Sequence, residues 1–265
     1  NVINRALRPG QVELWLWRWK NNEIKLTHQG IAFDIDGNLL DGQHRLTMIS
    51  DLPEGTVVRM MVTKGLDRDS FFGMDQGLKR TASDILNRDI RLVEVARFAA
   101  ETVIGRRGSA ITPQLLNPYV GCVELYHDYL MQFCSTRSKT WASAPVRFAC
   151  IVAMMSGIDK DYVGITYRAL VTQDYETMTP IVKSLNRSYQ SGLVRAGDRT
   201  DIVCRVLKVL EKKSESLTKV QIKSPDKVIE SVRALMRKQV DLHNEVVKRT
   251  LRQDANRSSI PIDGL

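Results

Sequence analysis

The sequence contains no apolar run near the ~18 residues of a membrane-crossing helix, which excludes a helical span. Its first residues, Asn1-Val2-Ile3-Asn4-Arg5, lack the apolar core of a secretory signal. Cysteine is scarce: Cys122, Cys134, Cys150 and Cys204 are the four, and none stands in a Cys-x-x-Cys spacing. That argues against a zinc site. All four fall in apolar, helical-looking segments, which predicts buried free thiols and a reducing, cytoplasmic setting. No internal repeat and no low-complexity stretch is visible, so repeat architectures are set aside.

What remains has the composition of an ordinary soluble protein. The 265 residues are 43% hydrophobic and 26% charged, enough for two domains or one large one. The charge is unevenly placed. Residues 183–252 hold 17 Lys/Arg against 8 Asp/Glu, a balance equal to the whole formal net charge of +9. Residues 1–182 carry +1 and residues 253–265 carry −1. A polyanion is the natural partner of so basic a segment, with nucleic acid first; a solvated helical surface rich in lysine is the plainer reading.

The first third reads as mixed α and β. Val12, Trp15, Leu16 and Trp19 stand at helical spacing within residues 9–21, which predicts core packing more than base stacking. Ile31 to Ile35 and Asn38 to Leu40 predict a hairpin around Asp36-Gly37. A helix from Gly42 ends before Pro53. Val57-Val58-Arg59-Met60-Met61-Val62 reads as the strongest strand, bounded by Gly55 and Gly65. Asp67 suits the cap of a short helix through Phe72. From about residue 90 the pattern is helical throughout. Thr112-Pro113 and Ser143-Ala144-Pro145 mark two helix starts, with Pro118 and Gly121 set to delay the first. Further helices are expected over Tyr162–Val171, Met178–Tyr189, Ile202–Leu210 and Asp226–Leu251, then an irregular tail. The expected fold class is α+β: a mixed domain over 1–88, a basic helical domain over 89–252 and a tail over 253–265.

The most informative residues are Asp41-Gly42-Gln43-His44-Arg45-Leu46, between a strand and a helix. Strand, glycine turn, then helix start is the layout that aims backbone N–H groups and a positive helix end at an anion. A phosphate or a nucleotide is the simplest ligand for such a nest. A second glycine turn, Asp75-Gln76-Gly77-Leu78-Lys79-Arg80-Thr81, opens another helix and places Lys79 and Arg80 at its start, again where an anion is favoured. The alternative there is structural, with Asp75 capping the helix or pairing with Arg80.

Four segments together resemble the ParB/sulfiredoxin-like superfamily, and more narrowly the ParB-like proteins of bacteriophages and mobile elements. They are Leu26–Phe33, the hexapeptide, Val62–Asp67 and Met74–Thr81, roughly residues 24–86. The resemblance implies a small α/β domain built around a phosphate-binding turn. It leaves the chemistry open, because members include CTP-hydrolysing partition clamps, ATP-dependent sulfinic acid reductases, a free-serine kinase and nucleases. The departures narrow the choice. Gln43 stands where sulfiredoxin has its reactive cysteine, which excludes sulfinic acid reduction. The kinase's catalytic glutamate has no secure counterpart, Glu13 and Glu23 being the acidic residues upstream. No helix-turn-helix signature follows residue 90, against clamp behaviour.

Two functions of different class follow. In the first, Gly42, Gln43, His44 and Arg45, with Lys79, Arg80 and Thr81, bind phosphate, and Arg45 neutralises charge developing on phosphoryl transfer. His44 would donate to phosphate or move a proton, and Asp41, Asp36 or Asp34 would hold Mg²⁺ beside a nucleoside triphosphate. Against this, Asp41 would cap the helix and Arg45 pair with it, while Asp34 and Asp36 serve the hairpin turn. In the second, the protein binds DNA without catalysis. Arg187, Arg195, Arg199, Arg205, Lys208, Lys212, Lys213, Arg233, Arg237 and Lys238 then contact phosphates, giving salt-dependent affinity with little sequence reading. A homodimer is a further possibility, as is a phage role in handling modified nucleotides or countering host defence.

Overall fold

The computed structural model of the protein describes residues 6–70, 81–105, 111–133, 138–189, 199–211, 220 and 222–258, with backbone alone for 253–258. The chain is mixed α and β and divides into two compact units, Asn1–Lys79 and Arg80–Leu265. The division falls earlier than the expected break after residue 88. The cause is the short helix α3 (Ala82–Leu86), which packs on α4 (Ile90–Ile104) and α5 (Pro113–Met131).

In the first unit, α1 (Pro9–Lys20) starts on a proline whose missing N–H costs the first turn nothing. Strands β1 (Ile31–Asp34) and β2 (Leu39–Asp41) form the expected antiparallel hairpin. Asp34 holds the turn: its carboxylate accepts from the Asp36 and Asn38 amides and from the Asn38 side chain, at 3.0, 2.7 and 3.0 Å. The Asn38 side-chain bond is the leading reason the Asp34 carboxyl sits below its ordinary pKa. Helix α2 (Gln43–Ser50) then returns the chain to β3 (Val62–Leu66), which runs parallel to β1, giving the order β2-β1-β3.

Two expectations need correction here. The third strand is Val62–Leu66, displaced from the Val57–Val62 run, and Val57 is 87% exposed. Apolar, β-branched residues suit a pleated surface only where a partner is present. The partner is four residues of β1, and its register pairs Ile31 with Val62. Along α1 the buried side chains are Val12 and Leu14, with Trp15, Leu16 and Trp19 half-buried. The core of this unit is correspondingly small: Ile31, Leu40 and Met48 join those two, with Leu40 and Met48 fully enclosed at about 1.5–3 kcal/mol each.

The described residues of the second unit contain helices and no strand, as the periodicity predicts. After α4 and α5 come α6 (Ala144–Met155), α7 (Lys160–Thr172), α8 (Pro180–Ser188), α9 (Arg199–Glu211) and α10 (Pro225–Ser258). Side-chain caps start several of them: Asp89 accepts from the Arg91 and Leu92 amides, Thr112 from Leu115, and Asp159 from Tyr162. Pro118 and Gly121 do not delay α5, which begins at Pro113. At Gly121 the bare backbone makes room for the His243 ring, which an added Cβ would meet at 2.2 Å.

Helix α6 is the centre of this unit. Every residue from Pro145 to Met154 is buried, and α4, α5, α7, α9 and α10 all pack on it. Arg147 is the only charged side chain along α6, and a helix apolar on nearly all sides has to lie inside. A polar network ties α8 to the segment before α6: Trp141 Nε1 donates to Asn186 Oδ1 at 2.6 Å, and the Asn186 amide donates to Gln173 and Tyr175. Cys150 and Cys204 are buried and Cys122 partly so; burial pushes the Cys150 thiol up to about 12 and the other two to about 11. Cys134 lies outside the described residues. The tail is a second correction to the domain limits, since α10 continues through Ser258 where irregular chain is expected from residue 253. No helix among the described residues is long and apolar enough to cross a membrane.

Candidate functional site

The hexapeptide occupies a strand–turn–helix junction. Asp41 ends β2, Gly42 turns at φ +98°, and Gln43 begins α2. Only glycine accepts that backbone conformation without strain, and the spacing is tight: an added Cβ would meet Ile31 Cα and Cγ1 at 3.1 Å and Gly30 O at 3.2 Å. The glycine is therefore required by the fold as well as suited to a ligand. The turn places the positive end of the α2 dipole beside Gln43, His44 and Arg45.

The side chains of the turn are engaged with one another and with α1. Asp41 Oδ1 accepts the Gly42 amide at 2.6 Å, and Oδ2 accepts Arg45 Nη2 at 2.9 Å. This is the i,i+4 pair of the structural alternative, with the Arg45 side chain 13% exposed and Asp41 43% exposed. His44 is buried, and its Nε2 accepts the Arg8 backbone N–H at 3.1 Å. Arg8 is the cap residue of α1, so His44 ties the start of α1 to the start of α2. The Nε2 lone pair is thus engaged by the fold, which puts the ring proton on Nδ1.

Sequence reasoning missed what α1 adds. The Trp15 ring lies under two guanidinium groups, Arg18 at 5.3 Å and Arg45 at 5.8 Å from its centroid. Burial lowers the Arg18 pKa from its ordinary value, and the Glu23 carboxylate opposes that shift. The i,i+3 spacing of Trp15 and Arg18 is legible in the chain, but nothing in the chain says that Arg45 reaches the same ring.

For Mg²⁺ the turn supplies little. Asp34 is 3% exposed with its oxygens committed to the hairpin, and both Asp41 oxygens already accept hydrogen bonds, which leaves the exposed Asp36 as the third carboxylate of this segment. No group of three or more His, Cys, Asp or Glu side chains among the described residues is arranged to hold a metal. The described residues of the turn thus make no metal cage of their own.

The other expected site residues are scattered. Lys79 and Arg80 lie outside the described residues, as do Arg195, Lys212 and Lys213. Thr81 caps α3 in a reciprocal arrangement: its hydroxyl accepts from the Asp84 amide, and the Asp84 carboxylate accepts the Thr81 N–H at 2.7 Å. Of the basic set, Arg187, Arg199, Arg237 and Lys238 are exposed and Lys208 is half-buried. Arg205 and Arg233 serve the fold. Arg205 bonds Asp201 at 2.7 Å and the Val220 carbonyl at 3.2 Å, while Arg233 donates from Nε to the Thr102 carbonyl at 2.8 Å, joining α10 to α4. Arg237 lies 3.8 Å from Glu230.

Comparison of the chain with protein-family models, with curated proteins and with solved structures gives no match in any of the three.

Proposed function

We propose that the protein binds a nucleotide, or a phosphate of nucleic acid, at the Gly42–Arg45 turn in the manner of the ParB/sulfiredoxin-like fold, and that the exposed cations of its second unit contact DNA. One observation carries the reading: a left-handed glycine opens α2 directly after a strand and sets Arg45 at the helix's positive end. Binding is better supported than turnover. His44 Nε2 is occupied by Arg8, and the Asp41 carboxylate holds Arg45, so neither stands ready as a base. Asp41 competes with a phosphate for the guanidinium, and the ligand displaces it in order to bind.

The test is isothermal titration with ATP, CTP, GTP and UTP in the presence of Mg²⁺. Micromolar affinity for one of them is expected, lost in Arg45→Ala and strengthened in Asp41→Asn. Absence of binding by all four overturns the site. The second reading, DNA binding without a nucleotide, is favoured by Arg187, Arg199, Arg237 and Lys238, which are exposed on α8, α9 and α10. It requires a DNA affinity that falls steeply with salt and is unchanged in Arg45→Ala.

A further inference from the structure

Helix α10 outruns the helices it packs on. Ile229, Val232, Met236, Val240 and His243 follow one another at three- and four-residue steps, which makes them one face of the helix. The first three are buried, Val240 packs partly buried against the core, and the His243 ring fills the space left at Gly121. Val247, Thr250 and Leu251 continue the same steps with Val246 beside them, but the burial stops: every residue from Glu245 to Arg252 is exposed. Leu242, Val246, Val247 and Leu251 are 48, 60, 41 and 64% exposed. The far side carries charge, as Asp241, Glu245, Lys248 and Arg252 recur at steps of four, three and four. Glu245 pairs with Arg249 along the helix at 3.8 Å. The stretch from Glu245 to Ser258, about 20 Å long, is marginal as a helix in water unless its apolar side is packed.

We propose that this apolar stripe is where a second copy of the chain docks, the two α10 ends lying antiparallel about a two-fold axis between Val246 and Val247. Two observations select that occupant. The stripe continues the face by which α10 packs on its own bundle, so another apolar helix face completes it. The charges set the direction: between residues 241 and 252 the acids, Asp241 and Glu245, precede the bases, Lys248, Arg249 and Arg252. An antiparallel copy brings the acidic half alongside the basic half, whereas a parallel copy brings like alongside like. The same reversal sets Leu242 level with the other copy's Leu251, Val246 with its Val247 and Glu245 with its Lys248. A patch that matches itself when reversed is what a two-fold contact requires. Nucleic acid does not suit an apolar stripe, and a lipid surface favours a polar face free of the acids found here. A paired length of about 20 Å lies near the lower limit of specific interfaces, roughly 1,000 Å² in total, so the dimer forms at micromolar chain concentration.

Sedimentation equilibrium of the full chain, from about 1 to 200 μM, reads the association. A monomer–dimer equilibrium in that range is expected. Val246→Glu and Val247→Glu stand at exposed positions that the fold does not need, and each is expected to weaken the dimer at least about tenfold. Ile165→Glu, at an apolar residue of α7 that is 51% exposed, leaves it unchanged. Mild oxidation reads the direction, with the wild type as baseline. Val247→Cys is expected to crosslink to itself across the axis. Leu242→Cys is not, because its two copies stand about 14 Å apart along the helices, beyond the reach of a disulfide. A chain that is monomeric throughout, or a dimer that survives both glutamate variants, overturns the docking surface. Crosslinking of Leu242→Cys as readily as Val247→Cys overturns the antiparallel arrangement. None of these readouts involves the Gly42–Arg45 turn, so this inference and the proposed function fail separately.

Discussion

Replacing Gly42 with alanine tests the junction on which the site is built. A side chain at φ +98° carries a backbone strain of roughly 1–3 kcal/mol. The new Cβ meets Ile31 and Gly30 at 3.1–3.2 Å, so β1 has to give by a few tenths of an ångström, which adds about 1 kcal/mol in a packed interior. The lower entropy of the unfolded alanine chain returns about 0.4–1 kcal/mol. The net loss spans about 1–3.6 kcal/mol and centres between about 2 and 3 kcal/mol. A unit of this size, Asn1–Lys79, has about 4–12 kcal/mol in all at the usual stability per residue. Urea unfolding followed by the fluorescence of Trp15, Trp17 and Trp19, all on α1, reads it out. With a slope near 1 kcal/mol/M, the midpoint drops by about 2–3 M. Gly37→Ala is the control. It has the same sign of φ at +81° but open space around the new Cβ, so strain alone acts and the shift is about 1 M. Equal shifts for the two variants, or a Gly42→Ala shift under about 0.5 M, would refute the packing argument.

The remaining predictions concern the second unit. His127 is 2% exposed on α5, and burial, then the Arg147 charge, holds its imidazole below the ordinary 6.5, with Asp128 and Asp89 opposing. The unfolded chain accepts a proton there that the folded chain refuses, so the stability is whole above about pH 6.5 and declines as pH falls through that value. Melting temperature recorded from pH 7.5 to 5.5 should fall less in His127→Gln than in the wild type. Asn186→Leu leaves the buried Trp141 N–H without its acceptor and should cost about 2–3 kcal/mol, read from the far-UV circular dichroism midpoint in urea. If DNA binds the basic face, Lys238→Ala should reduce the slope of log affinity against log salt by about 1, and an unchanged slope removes Lys238 from the interface. Arg205→Ala should instead act on stability, by about 1 kcal/mol, since its bonds to Asp201 and Val220 are internal.

Features legible in the chain are those whose cause is local. Asp36-Gly37 marks the hairpin because Gly37 supplies a positive φ and Asp34 and Asn38 close the turn by their own bonds. Thr112-Pro113 marks a helix start because cap and first residue are adjacent. The pairing of Asp41 with Arg45 follows from i,i+4 spacing, the structural alternative for both residues. The third strand departs from the β-branched run because its limits are set by a partner strand some thirty residues away. Arg205 and Arg233 count as surface charge in a tally of the segment, yet each reaches a carbonyl from another part of the chain.

The sequence by itself determined the two-part organisation, the helical character after residue 90, the strand–glycine–helix junction at Asp41–Arg45 and the helix start at Ser143-Ala144-Pro145. Each rests on periodicity, turn chemistry or capping, which act over a few residues. The tertiary structure decided which of the chemically able residues are already committed. It gave His44 to Arg8, two basic residues to the fold, and Arg18 to the ring shared with Arg45. Those choices depend on which helix faces which, and the packing of the whole chain fixes that, since hydrogen bonds and charges bring together whatever the core has made neighbours.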